Sequence, residues 1–138
     1  MTAVETRCNC GGVTLALSGD SVAQFYCHCD DCQAVHGAAF VPIALYRASD
    51  VKITSGASSV YQRKQTPRHS CPTCGTRLFA DLPAFGLRSV VAQLLPAGTF
   101  NPTFHMQCQH ARVPLKDDLP HFKGFPPLFG GSDDEVVW

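Results

Sequence analysis

The sequence predicts a mainly β protein with a single domain. Short runs rich in β-branched and aromatic residues recur along the chain, and Gly or Pro residues punctuate them. Short strands separated in this way are typical of a β-sandwich or a barrel-like fold. A chain of 138 residues with 45% hydrophobic residues is long enough to bury the core of one such domain.

The elements follow in chain order. The run at 13–19 alternates between apolar and polar residues and ends in Ser-Gly, which predicts a strand and a turn. Two strands are predicted within 39–56, a further strand over 58–64, and a mostly apolar, central strand over 88–95. Only segments 31–37 and 113–122 have a pattern that suits a helical turn or two. Residues 1–126 are predicted to form the domain and residues 127–138 a C-terminal tail.

Charge and hydropathy exclude several classes of function. Lys plus Arg and Asp plus Glu both number 11, so the chain lacks the basic surplus of a nucleic-acid-binding protein. No apolar run approaches the roughly 18 residues of a membrane-spanning helix, and the first residues lack the pattern of a secretory signal. A cytoplasmic location without a membrane or nucleic-acid partner is therefore expected. Because thiols stay reduced in that compartment, the eight cysteines favour metal binding or catalysis over disulfides.

Most of the cysteines fall into three clusters, with the spacings C-x-C, C-x-C-x-x-C and C-x-x-C. Cysteines this close together chelate one ion readily but form strained disulfides with one another. Four disulfides remain the alternative if the protein is exported. The two pairs sum to the four thiolates of a closed, structural zinc site, and the C-x-x-C turn is followed by a flexible Gly, as is familiar in one half of such a site. This set, termed the four-cysteine group, consists of Cys8, Cys10, Cys71 and Cys74.

The remaining cluster, termed the three-cysteine group, consists of Cys27, Cys29 and Cys32. Three protein ligands with a fourth position for water or substrate are typical of catalytic zinc. The alternative is that another side chain closes this site as well. The candidates are Cys108 and the histidines near the clusters or late in the chain, His28, His36, His69, His105 and His110.

The order C-x-C-G, then C-H-C-x-x-C followed by H-G, then C-x-x-C-G resembles the glutathione-dependent formaldehyde-activating enzyme family, whose domain is shared with centromere protein V. The likeness covers residues 7–13, 25–40, 68–79 and 104–126. It implies a zinc-stapled β-tent of short, mostly antiparallel strands. It also implies a structural zinc in the four-cysteine group and a labile, catalytic zinc in the three-cysteine group.

The resemblance implies an enzyme that joins glutathione to formaldehyde and is formally a carbon–sulfur lyase. The first hypothesis is therefore a zinc-dependent enzyme acting on a thiol–carbonyl adduct such as S-hydroxymethylglutathione, with a small thiol or aldehyde as substrate. The alternative is a non-catalytic, zinc-stabilised binding module or a thiol or metal sensor. Ser70 and the region around Pro114 depart from the family pattern. Arg63, Lys64 and Arg68 are candidate partners for a substrate carboxylate.

Overall fold

The structure, a computed structural model, describes residues 3–138, and the packing of the chain divides them into two compact units. One unit contains the chain up to Ala23 together with Ala44–Phe100, and the other contains Gln24–Ile43 together with Asn101–Trp138. The mainly β prediction is confirmed, and α1 spans Asp30–His36. The strands are β1 (Val4–Arg7), β2 (Thr14–Leu17), β3 (Ala23–Cys27), β4 (Val41–Arg47), β5 (Val51–Ser55), β6 (Ser59–Arg63), β7 (Thr66–Ser70), β8 (Arg77–Leu82), β9 (Leu87–Val91) and β10 (Phe104–Met106).

Antiparallel pairing dominates the first unit. Strand β2 lies between β1 and β5, and β6 to β9 form a meander in which each strand pairs with the next. Alternate residues of β2 point inward. Leu15 and Leu17 are buried, whereas Thr14 and Ala16 are partly exposed. The buried hydrophobic cluster contains Cys8, Val13, Leu15, Leu17, Ala44, Tyr46, Val51, Cys71, Leu78, Phe79, Val90 and Leu94.

Several strand predictions are confirmed, and one strand was predicted too long. The predicted strands over 13–19, 39–56 and 58–64 correspond to β2, to β4 with β5, and to β6. The apolar run at 88–95 forms β9 only as far as Val91, and Ala92–Leu94 then form a 3-10 turn. Ala92 and Leu94 are buried within that turn, so their hydrophobicity reflects packing and not strand structure. The sequence pattern did not identify β1, β3, β7, β8 or β10.

In the second unit, β3 and β10 pair in parallel, whereas the strand pairs of the first unit are antiparallel, in keeping with the expected mostly antiparallel arrangement. Side chains paired across a parallel register project on the same face of the sheet. Phe25 accordingly stacks on Phe104 with ring centroids 5.0 Å apart, and Tyr26 stacks on His105 at 4.7 Å. The next pair in the register, Met106 and Cys27, places a cysteine of the three-cysteine group at the end of β3.

Helix α1 begins directly after β3 and confirms the helical prediction for 31–37. Its N-cap is Cys29, whose thiol accepts a hydrogen bond from the backbone N–H of Cys32 at 3.2 Å. Asp30 and Asp31 in the first turn suit the positive end of the helix dipole. The helix ends at Gly37, whose N–H donates to the carbonyl of Gln33 at 2.9 Å.

The helix predicted within 113–122 does not form. The segment instead runs beside β10, since the N–H of His105 donates to the carbonyl of Pro120 at 2.8 Å and the N–H of Phe122 donates to the carbonyl of His105 at 3.0 Å. Pro114 and Pro120 disfavour a helix because proline has no N–H to donate and crowds the preceding turn. None of the helices among residues 3–138 has the length and apolar character needed to cross a membrane.

The last residues make defined contacts within the second unit. The ring of Phe129 lies edge-on to Phe25 and Phe104, with centroids 5.7 and 5.9 Å away. The backbone N–H of Val136 donates to the carbonyl of His121 at 3.0 Å. A domain boundary at residue 126 stays a prediction.

Candidate metal centres

The sulfur atoms of the four-cysteine group lie within 4.8 Å of one another. The Sγ atoms of Cys8 and Cys10 are 3.7 Å apart, and so are those of Cys10 and Cys71. A zinc ion about 2.3 Å from each of four thiolates holds them about 3.8 Å apart at the corners of a tetrahedron, whereas a disulfide needs about 2.05 Å. All cysteines are free thiols. The spacing therefore fits a shared ion and not a disulfide.

Two similar turns present these thiols. The N–H of Gly11 donates to the carbonyl of Cys8, and the N–H of Gly75 donates to the carbonyl of Cys71, both at 3.0 Å. Gly11 and Gly75 have φ angles of +80° and +75°, a region that residues with a Cβ rarely adopt. The glycine after each cysteine pair thus lets the chain fold back and turn both sulfurs toward the same point.

Hydrogen bonds favour the thiolate form of Cys8 and Cys74 in the four-cysteine group, whereas the neighbouring thiols help to raise the pKa of Cys10 to about 11. The backbone N–H of Val13 donates to the sulfur of Cys8 at 3.3 Å. The hydroxyl of Thr76 lies 3.1 Å from the sulfur of Cys74, and this contact, with help from the Thr76 backbone, lowers the pKa of Cys74 to about 5. Thiolate is the form that binds zinc, so the surroundings suit a metal ligand.

The sulfurs of the three-cysteine group also lie within 4.8 Å of one another. Cys27 and Cys32 are buried, and Cys29 is partly exposed. Hydrogen bonds from the Cys27 and Cys32 thiols lower the pKa of Cys29 to about 2, and the hydrogen bonds of Cys27 to Cys29 and Cys32 raise the pKa of Cys27. Among residues 3–138, no further Cys, His, Asp or Glu side chain joins this group within that distance.

The residues considered for the fourth position lie outside the three-cysteine group. Cys108 is buried in a 3-10 turn, and burial raises the pKa of its thiol to about 12. His105 is 2.9 Å from His28, and His69 contacts Ser58 and Asp81 at 2.7 and 2.8 Å. The structure thus brings together each predicted set of cysteines, and zinc binding by both sets stays a prediction.

The positive side chains suggested for a substrate carboxylate lie on β6, on β7 and between them. Arg63 ends β6 and Lys64 follows it, with a positive φ of 54°. Arg68 lies on β7, and its buried Nε has no hydrogen-bond partner. Substrate binding by these residues stays a prediction.

A further cluster of potential ligands was not identified from the sequence. Nitrogen and oxygen atoms of His105, Asp117 and His121 lie within 4.8 Å of one another. Asp117 and His121 fall in the segment predicted as a short helix, and their spacing, D-x-x-x-H, was the one available signal. Residues 105 and 117 come together only because the segment after β10 folds back along that strand.

Comparison with known proteins places the chain in a family. A crystal structure of a Rhodobacter sphaeroides protein matches 72% of this chain and 92% of its own chain, with a TM-score of 0.58 and 22% sequence identity. At that identity the likeness concerns the fold alone. The model of the family described as glutathione-dependent formaldehyde-activating enzyme matches residues 3–112. The chain therefore belongs to the glutathione-dependent formaldehyde-activating enzyme family.

Proposed function

We propose that this protein is a zinc-dependent enzyme of the carbon–sulfur lyase type, which forms or cleaves adducts between a thiol and a carbonyl compound. Family membership supports glutathione-dependent formaldehyde activation in broad terms. The zinc dependence, the lyase class and S-hydroxymethylglutathione as the adduct are the proposed part. In the forming direction, the glutathione sulfur bonds to the carbonyl carbon of formaldehyde and the thiol proton ends on the carbonyl oxygen.

The observation that carries this proposal is a group of three convergent thiols without a fourth donor. Among residues 3–138, no other Cys, His, Asp or Glu side chain lies close enough to complete it. Three thiolates fit zinc with one position left for an exchangeable ligand. A zinc ion bound there would act as a Lewis acid and would lower the pKa of an incoming thiol.

The residues around the three thiols would hold and orient the site. The backbone N–H of Cys32 donates to the sulfur of Cys29 and fixes that thiol at the start of α1. The amide nitrogen of Gln33 donates to the carbonyls of His28 and His110, at 2.7 and 2.9 Å. Gln33 therefore ties the first turn of α1 to the end of β3 and to the segment after β10, which limits movement of the three cysteines.

The four-cysteine group would have a structural role. Its ligands come from two parts of the first unit, and Cys8 and Cys71 belong to the buried hydrophobic cluster. Four thiolates complete a tetrahedral zinc shell, so no position remains for a substrate.

Zinc stoichiometry, measured together with turnover, tests the proposal. We expect the wild-type protein to lose one of the two zinc ions held by its cysteine groups on dialysis against millimolar glutathione, and to accelerate the exchange between glutathione and formaldehyde in an NMR exchange assay. Cys29→Ser is expected to hold one cysteine-bound zinc ion from the outset and to lack this acceleration. The matched control is Cys108→Ala, which removes a thiol outside both groups and should behave as the wild type.

The alternatives give different results in the same experiment. Two zinc ions that both survive dialysis, with no acceleration of exchange, would indicate a closed site and a binding module. Loss of one zinc ion without acceleration would indicate a thiol or metal sensor. Either result contradicts the enzyme proposal.

A further inference from the structure

The cluster around His105 lies apart from the three-cysteine group. Tyr26 and His105 are paired in the parallel register of β3 and β10 and stack on each other. His28 continues the pattern two residues after Tyr26, and its Nε2 lies 2.9 Å from Nδ1 of His105. Because side chains alternate along a strand, Cys27 projects on the opposite face. The histidine cluster is therefore a separate feature of the second unit.

Asp117 joins two histidines through its two carboxylate oxygens. Nε2 of His105 is 2.8 Å from Oδ2 of Asp117, and Nε2 of His121 is 3.2 Å from Oδ1 of the same side chain. His105 is fully buried, whereas Asp117 and His121 are partly open to solvent. An ion from solvent can thus approach the donor atoms from the side of Asp117.

The protonation states suit metal ligands. Burial lowers the pKa of His105, which favours its neutral imidazole. Partial burial opposes the ionisation of Asp117, but the hydrogen bonds from His105 and from the N–H of Leu119 outweigh it and hold the pKa of Asp117 below its ordinary value. A neutral imidazole and a carboxylate are the forms that bind metal.

We propose that His105, Asp117 and His121 form a third metal site, which takes a borderline divalent transition-metal ion such as zinc. Two imidazole nitrogens and a carboxylate oxygen are a common donor set for zinc and neighbouring metals. The contact between His105 Nδ1 and His28 Nε2 supplies the supporting hydrogen bond that metal-binding histidines usually have on their second nitrogen.

Metal binding would require His121 to turn. The rings of His105 and His121 are stacked, with centroids 4.4 Å apart and an interplanar angle of 27°. Nε2 of His121 now lies 3.0 Å from the carbonyl oxygen of Leu115 and donates to it. Rotation of this partly exposed ring would release that bond and aim the nitrogen at an ion beside Asp117 and His105.

This site would be an addition to the family domain. The family match ends at residue 112, so Asp117 and His121 lie outside it, whereas His105 lies within it. A bound ion would fasten the segment after residue 112 to β10. The inference does not depend on the proposed enzymatic activity, because it concerns neither cysteine group.

Cobalt binding to the full-length protein, after two equivalents of zinc have filled the two cysteine groups, tests the inference. Cobalt bound by nitrogen and oxygen gives visible d–d absorption without the near-ultraviolet sulfur-to-metal charge transfer of thiolate-bound cobalt. The test variants are Asp117→Asn and His121→Gln. The matched control is Asp118→Asn, which removes the adjacent exposed carboxylate.

We expect the wild type and Asp118→Asn to bind one cobalt ion with the nitrogen–oxygen signature, and both test variants to bind it at least about tenfold more weakly. Elemental analysis after equilibration with zinc should show one ion fewer in each test variant. Charge-transfer bands alone in the wild type, or equal cobalt affinity in all four proteins, would overturn the inference. The wild-type spectrum decides the matter even if a variant does not fold. Glutathione–formaldehyde exchange by the wild type is a separate readout, whose failure would leave this result intact.

Discussion

The four-cysteine group and the three-cysteine group differ in where their thiols come from. Cys10 and Cys71, whose sulfurs are 3.7 Å apart, are separated by 61 positions in the chain. Cys27, Cys29 and Cys32 come from the end of one strand and the start of the helix that follows it. A metal in the first group would therefore close a long loop of the chain, whereas a metal in the second would close only a short one.

The surroundings of the two groups also differ, because one group lies in a hydrophobic cluster and the other at the start of a helix. Cys8 and Cys71 pack in the hydrophobic cluster with residues such as Leu15 and Leu78, both of which are fully buried. Cys29 caps a helix of seven residues and is partly exposed. From this comparison we expect a long-range site within a core to contribute to folding, and a local site at a helix start to exchange its ligand while the fold persists.

The largest expected effect is loss of stability in Cys71→Ser. This change removes one thiolate of the four-cysteine group and places a hydroxyl in the hydrophobic cluster. Loss of a structural metal is among the few single changes that cost about 4 kcal/mol or more of unfolding free energy. Urea denaturation monitored by circular dichroism measures it. If Cys71→Ser is no less stable than Cys108→Ala, the structural role is wrong.

Cys29→Ser should separate activity from stability. A serine hydroxyl is a good helix N-cap and can accept the hydrogen bond from the N–H of Cys32, so we expect α1 to remain. Affinity for the zinc ion of the three-cysteine group should fall about 100-fold or more, since removal of only the hydrogen-bond partners of a ligand already lowers metal affinity about 10–100-fold. Zinc titration and the exchange assay measure these effects, and a destabilisation as large as that of Cys71→Ser would contradict the comparison.

A chelator should remove the two cysteine-bound zinc ions in separate steps. We expect the ion in the three-cysteine group to leave first, because it has fewer protein ligands and a partly exposed thiol, Cys29. Mass spectrometry under native conditions counts the ions as the concentration of the chelator rises, and circular dichroism follows the fold. Secondary structure should persist through the first step and decrease in the second. Simultaneous loss of both ions would remove the distinction between the sites.

The smallest expected effect concerns the turn after Cys74. Gly75→Ala places a Cβ at a φ of +75°, where no neighbouring atom obstructs it, so the cost is the backbone strain of about 1 kcal/mol. We also expect weaker zinc binding by the four-cysteine group. Gly86→Ala is the matched control, since Gly86 has a φ of +64°, is similarly unobstructed and lies outside the cysteine turns. Equal zinc affinity in both variants would show that the turn does not shape the site.

The sequence alone was sufficient to identify the cysteine groups and much of the β structure. Chelating cysteines lie two or three residues apart, so each half of a site is visible as a local spacing. The strand at 13–19 was predictable because its inward and outward residues alternate. Strand β7, in contrast, reads Thr-Pro-Arg-His-Ser, and all five of its residues are only partly buried, so no hydrophobic pattern marks it.

Local patterns were also misleading where packing decided the outcome. The apolar run at 88–95 looked like one strand, yet its last residues turn and bury Ala92 and Leu94. The segment 113–122 looked helical, yet two prolines and its hydrogen bonds to His105 hold it beside β10.

Family membership, the mainly β class and the three local clusters of cysteines were thus determined by the sequence itself, because each depends on local spacing or on the match of residues 3–112. The tertiary structure alone decided the parallel pairing of β3 with β10 and the return of the segment that carries Asp117 and His121. The physical reason is that a hydrogen-bonded register between distant segments leaves no periodic signal in either one. His105 and Asp117 become neighbours only through that register.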